Sequence, residues 1–317
     1  MDAMDLLERA LEGVPEQTLE IVGADGARQA QPLSRGRGRM ERFALYPGAE
    51  LTRCDYLAEA APCRHAADGH ILEINYCRAG RAGWKLRDGT AYLGAGDCAL
   101  HSWAHCADSL MSFPNGAYRG LSIAVDPARL AEAPPELIAQ ADIDVEALAR
   151  RFTEGGFYRL PGAERLAHVF SGFFDQPPAQ AVPMARLKFQ ELLFCLSRME
   201  RRPEGAPRHS AEQVETIRRV HDHLTRHLDA RETIEELSRR FLMNPSTLKE
   251  VFRDVYGNSI AAHIREHRME RAAALLRETD MSMAEIARAV GYESPSKFSA
   301  EFRKAFNRLP TQYRASS

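Results

Sequence analysis

No stretch of the 317-residue chain approaches the roughly 18 consecutive apolar residues of a membrane span, so no membrane partner is expected. The start has no basic cluster ahead of a long apolar run. Met1–Leu11 reads instead as a short acidic helix with Leu6, Leu7 and Leu11 on one side. A secretory leader is therefore not expected, and the chain is placed in the cytoplasm. None of the six cysteines (Cys54, Cys63, Cys77, Cys98, Cys106 and Cys195) forms a Cys-x-x-Cys pair, which favours reduced, buried thiols over a redox centre. There is no phosphate-cradling glycine loop and no nucleophile–base arrangement, so neither an enzyme nor a cofactor is expected. A strong basic excess is also missing. The net charge is −2; from Ala211 onward 18 Lys and Arg stand against 16 Asp and Glu, and before it 24 stand against 28. Contact with nucleic acid must then come from local basic faces and weaken with salt.

The length allows two domains at roughly 100–200 residues each. Residues 1–39 read as an N-terminal helix and a flexible segment, with Arg28, Arg35, Arg37 and Arg39 in solvent. Residues 40–126 read as short strands. Ile71–Cys77 and Leu121–Val125 carry β-branched and aromatic residues, and turn signals recur at Pro47-Gly48, Asp88-Gly89, Gly94-x-Gly96-Asp97 and Pro114-Asn115-Gly116. This spacing predicts a small antiparallel barrel or sandwich. Residues 127–201 turn helical, with Ala163–Phe174 and Met184–Met199 the clearest segments. The second is apolar round most of its circumference and must be buried against more than one surface; a second subunit is a candidate for one of them. Pro203, Gly205 and Pro207 make 202–210 an interdomain linker, and 211–317 a separate all-α domain. The fold class is α+β.

That last domain contains an internal repeat. Copy one runs Ile234–Gly257 and copy two Met283–Asn307. Leu237 matches Ile286, Phe241 matches Val290, Asn244-Pro245 matches Ser294-Pro295, Leu248 matches Phe298, and Phe252 matches Phe302. Each copy reads as helix, tight turn, helix. Thr233-x-x-Glu236 and Ser282-x-x-Glu285 are capping boxes. Asn244 and Ser294 each place a side-chain oxygen before a proline at the first helical position. Gly257 and Asn307 sit where the second helices should end. In such units the second helix enters the major groove. The outward residues expected to meet DNA are Ser246, Thr247, Lys249, Glu250 and Arg253 in copy one, and Ser296, Lys297, Ser299, Ala300, Arg303 and Lys304 in copy two. Between the copies, Ser259–Arg277 reads as one helix of about 28 Å, comparable to the roughly 34 Å turn of B-DNA. Arg268 interrupts its apolar stripe and is expected to pair with an acid.

From Ala211 to Arg314 the sequence resembles the AraC/XylS family of transcription regulators. The likeness is carried by Ile286-Ala287-x-x-Val290-Gly291-Tyr292, by Ser296-x-Phe298-Ser299-x-x-Phe302-Arg303-Lys304 and by Pro310-Thr311-x-Tyr313-Arg314 at the close. Asn307 stands where the family usually has glycine. The resemblance implies double-stranded DNA at promoters as partner, contact with RNA polymerase, and an N-terminal cupin-like barrel followed by dimerising helices. Glu73-Ile74-Asn75-Tyr76-Cys77, Gly94-x-Gly96-Asp97 and Phe113-Pro114-x-x-x-Tyr118-x-Gly120 are similar to the subgroup that includes the pyochelin (siderophore) regulator.

A barrel of this size can hold one small-molecule effector. Tyr76, Trp84, Tyr92, Trp103 and Tyr118 are the candidate lining residues, while Arg78 and Arg81 are expected in solvent. His101, His105 and Cys106, with His65, His70, Cys77 and Cys98 nearby, are ligand types suited to zinc or iron. The two-histidine-plus-glutamate spacing of metal-binding cupin enzymes is absent, so no metal is assigned. The expected function is an activator of transcription that responds to a small-molecule effector, with a metal- or redox-responsive regulator on the same scaffold as the alternative.

Overall fold

A computed structural model of the chain describes residues 3–63, 65, 67–86, 89–106, 109–154, 156–160, 163–201 and 209–315. It divides into two compact units, Met1–His209 and Ser210–Ser317. Most of the expected linker, 202–208, and Asp88 of the Asp88-Gly89 turn lie outside the described residues.

The first unit opens with α1 (Ala3–Ala10), which buries Leu7, and continues through β1 (Thr18–Val22), β2 (Arg28–Pro32), β3 (Gly36–Tyr46), β4 (Ala49–Ala58), β5 (Ala60–Cys63), β6 (Leu72–Leu86), β7 (Gly89–Gly94), β8 (Cys98–Ser102), β9 (Ser109–Ser112) and β10 (Ala117–Val125). Then come α2 (Pro127–Glu132), α3 (Glu136–Gln140), α4 (Val145–Thr153), β11 (Tyr158–Arg159), α5 (Ala167–Ser171) and α6 (Pro178–Ser197). The expected helix over Ala163–Phe174 is a 3-10 turn, Ala163–Leu166, followed by the short α5.

The strands run in the order β11-β8-β6-β10-β4-β3-β1-β2. Of the expected antiparallel barrel or sandwich, the barrel does not close: the strand path is open, and β1 pairs with β3 in parallel. The segment read as flexible supplies β1, β2 and the start of β3. Its arginines are held by carboxylates, Arg28 and Arg39 by Glu20 and Arg35 by Glu59. Charge pairing across strands replaces the hydrophobic alternation that would have announced them. β6 is long enough to serve two sheets. Its first half pairs with β8 and β10, and its second half with β7 and β9. Gly80 sits at the change of partner with φ +75°, where a Cβ would lie 2.1 Å from the Ala117 carbonyl oxygen, so only glycine fits.

Side chains alternate along β6 with period two. Leu72, Ile74 and Tyr76 face a layer of helices, joining Phe152, Phe170 and Phe189 in one core. Cys77 faces the opposite core with Tyr56, Trp84, Phe113 and Tyr118, and Glu73 and Asn75 line the cavity on that side.

The second unit is all helical: α7 (Ala211–Arg226), α8 (Ile234–Phe241), α9 (Pro245–Tyr256), α10 (Ile260–Glu278), α11 (Met283–Ala289), α12 (Pro295–Phe306) and α13 (Pro310–Ala315). Both capping boxes form at Thr233 and Ser282, and a third at Ser210. Asn244 accepts from the Ser246 amide and Ser294 from the Lys297 amide. Gly257 and Asn307 both close their helices in the left-handed conformation. The connector α10 packs on α7, α9, α11, α12 and α13. Arg268, expected to meet an acid, instead donates to the carbonyl oxygens of Leu228 (2.7 Å) and Ala230 (2.8 Å). It thereby ties α10 to the loop after α7, and its guanidinium lies 5.9 Å from the Tyr292 ring centre.

Candidate nucleic-acid interface and interior cavity

The duplicated units set their second helices by burying one stripe of each. Leu248, Phe252 and Val255 are buried on α9; Phe298 and Phe302 are buried on α12. With 3.6 residues per turn, the opposite face must then point outward. On α9, Ser246, Lys249, Glu250 and Arg253 are exposed and Thr247 is half-buried. On α12, Ser296, Lys297, Ala300, Arg303 and Lys304 are exposed and Ser299 is half-buried. Two shallow depressions run along α12. One is lined by Ser299, Ala300, Arg303 and Lys304, the other by Lys297 and Lys304 with Arg265 from α10. Glu301 interrupts this basic surface. It holds Lys304 at 2.6 Å and faces Arg265 at 3.7 Å, and the Lys304 ammonium keeps its carboxyl below the usual range. Arg265 lies on the connector, and the repeat alignment had no reason to include it.

The first unit contains a cavity of about 330 Å³. Of the five aromatic residues expected to line it, Trp84, Trp103 and Tyr118 do so. Tyr76 does not: in the first half of β6 it shares the face of Leu72 and Ile74 towards the helices, and it stacks on Phe170 at 4.1 Å. Tyr92 is also absent from the lining; it is buried on β7 with its ring against Gly83. Arg78 is drawn onto Asp175 at 2.5 Å and lies over the Phe174 ring.

The polar lining comes from residues that no single motif contains. Glu73 and Asn75 project from β6, Ser122 from β10, and Cys63 and His65 from the end of β5. Ser122 donates to Glu73 Oε1 at 2.5 Å. His101 is fully buried beside the cavity, with Nδ1 3.0 Å from the Ser102 carbonyl oxygen and Nε2 2.9 Å from Asn75 Nδ2. Cys106 Sγ lies 3.4 Å from His65 Nε2 and 3.8 Å from Glu73 Oε2. Hydrogen bonds from Cys106 and His65 favour the Cys63 thiolate, and that charge, with burial and Glu73, pushes the Cys106 thiol up. His105, expected near Cys106 in function, bonds Ser102 Oγ at 2.8 Å. Cys77 and Cys98 are buried elsewhere, and burial raises both thiols.

Comparison with known proteins bears on the second unit. Residues 237–316 match the family model described as a helix-turn-helix domain. The chain is 40% identical over 81 residues to the HTH-type transcriptional regulator ExsA of Pseudomonas aeruginosa, covering 26% of this chain and 29% of that one. It is 38% identical over 81 residues to the virulence regulon transcriptional activator VirF of Yersinia enterocolitica, covering 26% and 30% respectively. Among solved structures it is similar to the C-terminal domain of AraT, a response regulator from Geobacillus stearothermophilus, with 31% identity, a TM-score of 0.31, and coverage of 32% of this chain and 85% of that one. The match spans under a third of each curated regulator's length. The C-terminal segment of this chain thus matches a helix-turn-helix domain and is similar to the corresponding part of bacterial transcriptional regulators.

Proposed function

We propose that the protein is a sequence-specific transcription regulator, an activator, whose first unit responds to a small molecule. One observation carries the reading most directly: two helix-turn-helix units, started by the same caps, pack on the single helix α10. α9 and α12 would enter successive major grooves of promoter DNA. The residues proposed to meet it are the exposed donors of both helices, with Arg265 added as a phosphate contact. Activation follows the printed role of relatives such as VirF, and contact with RNA polymerase is part of the same proposal. The cavity, near the lower end of small-molecule sites at roughly 300 Å³, would take the effector between Trp84, Trp103 and Tyr118. Leu187 and Phe194, exposed on α6, form the face proposed for a second copy.

The test is DNA affinity of the full chain on a duplex selected from a random library, measured over a salt series. Replacing Lys297 and Arg303 together with alanine should weaken binding at least about tenfold and flatten the salt dependence. Unchanged affinity would remove these residues from the interface.

A further inference from the structure

Two groups of metal-ligand type meet beside the cavity and share Cys106. Cys63, His65 and Cys106 offer ligand atoms within 4.8 Å of one another, and so do Glu73, His101 and Cys106. The members come from four places, His101 among them from β8. Cys63 closes β5, and His65 lies two residues further along the chain. Cys106 follows the 3-10 turn Trp103–His105, and Glu73 comes from β6. His65 is oriented by stacking on Trp103, with ring centres 4.8 Å apart.

We propose that Cys63, His65 and Cys106 bind a zinc-class cation, with the fourth position facing the cavity and Glu73. Zinc–sulfur and zinc–nitrogen bonds of about 2.3 and 2.0 Å put neighbouring sulfur and nitrogen ligands about 3.5 Å apart in a tetrahedron. Cys106 Sγ and His65 Nε2 are 3.4 Å apart. Two thiolates and an imidazole select soft or borderline ions over magnesium or calcium. His101 is a weaker candidate, since Ser102 and Asn75 already engage its two nitrogens. Glu73 keeps Oε2 on the Cys106 side while Ser122 holds Oε1. Two sulfurs and a carboxylate crowded together repel as they ionise, and a divalent cation relieves that repulsion. Three protein ligands with an open fourth position leave room for water or a donor atom of an effector. Binding displaces the thiol protons to solvent as each sulfur joins the metal.

The site itself does not depend on the regulator reading; only its coupling to DNA does. The test uses full-length protein, stripped of metal under reductant, with Co²⁺ as probe. One equivalent should give intense visible bands of tetrahedral cobalt and a thiolate charge-transfer band, both removed by Zn²⁺. Cys63→Ser and Cys106→Ser should each abolish the charge-transfer pattern of two thiolates. His65→Gln, a milder change, should weaken Co²⁺ binding at least about tenfold, and Cys98→Ser should leave it intact. Circular dichroism checks that each variant folds. Absence of thiolate bands in folded wild-type protein would overturn the proposal, as would bands that survive both Cys63→Ser and Cys106→Ser. DNA affinity with and without Zn²⁺ is read separately: no response there sinks the coupling and leaves the cobalt result standing.

Discussion

Leu242 and Gly291 occupy the same place in the two repeats, and they solve one backbone problem differently. Both have positive φ, 53° and 78°. Left-handed backbone costs a non-glycine residue roughly 1–2 kcal/mol, and Leu242, 93% exposed, gains no packing in return. Leu242→Gly should therefore stabilise the second unit by up to about 1 kcal/mol, read as a higher urea midpoint; a lower midpoint would contradict this account of the turn. Glycine is obligatory at 291, where a Cβ would lie 2.6 Å from the Leu228 carbonyl oxygen and 2.7 Å from an Arg268 nitrogen.

His263 supplies a pH prediction. It is buried on α10, with His221 of α7, Tyr256 and Phe252 of α9, and His267 of its own helix around it. His221 is near Asp222, and His267 near Glu270. Burial, reinforced by His267 and His221, pushes the His263 pKa down to about 3. The unfolded chain, with an ordinary value of about 6.5, therefore takes up this proton first. Stability from a neutral His263 is complete above pH 6.5 and is lost as pH falls towards 3. Between pH 7 and 5 the wild type should lose more stability than His263→Phe in parallel denaturation series. Equal losses would mean that His263 is accessible to protons in the folded state.

At the scale of elements, α10 is the part that holds the two helix-turn-helix units together, and Arg268 is its main polar tie. Hydrogen bonds to charged groups are worth about 1.5–3 kcal/mol each. Arg268→Ala should cost the second unit at least about 2 kcal/mol in urea denaturation, leaving two loop carbonyls short of a donor; a loss under about 0.5 kcal/mol would show that water replaces it. The sequence marks Arg268 as an interruption of an apolar stripe but says nothing of its partners, which lie about 40 residues away in the chain.

The same contrast explains which elements were legible. Helix starts, proline positions and left-handed stops act within four residues, so Thr233, Asn244, Ser282 and Ser294 declare their helices locally. Strands β1 and β2 are only five residues long, and β3 opens on Gly36-Arg37-Gly38-Arg39; all three become strands by pairing with partners that local pattern does not reveal. The candidate metal site was obscured for the same reason. Cys63 and Cys106 lie 43 residues apart in the sequence, whereas His101 and His105, adjacent by inspection, turn to different partners. Tyr76 shows the limit of reading aromatics as cavity lining: its side of β6 decides its role, and that depends on which face the helices cover.

For the molecule as a whole, the central claim is that α9 and α12 grip one duplex together. A base-by-base protection experiment on a selected duplex, with methylation interference for the major groove, tests it most directly. The account predicts two protected major-groove patches on one face of the DNA, about one helical turn or roughly 10 base pairs apart, with Lys249→Ala weakening one patch and Lys297→Ala the other. A single patch, or two on opposite faces, would contradict it.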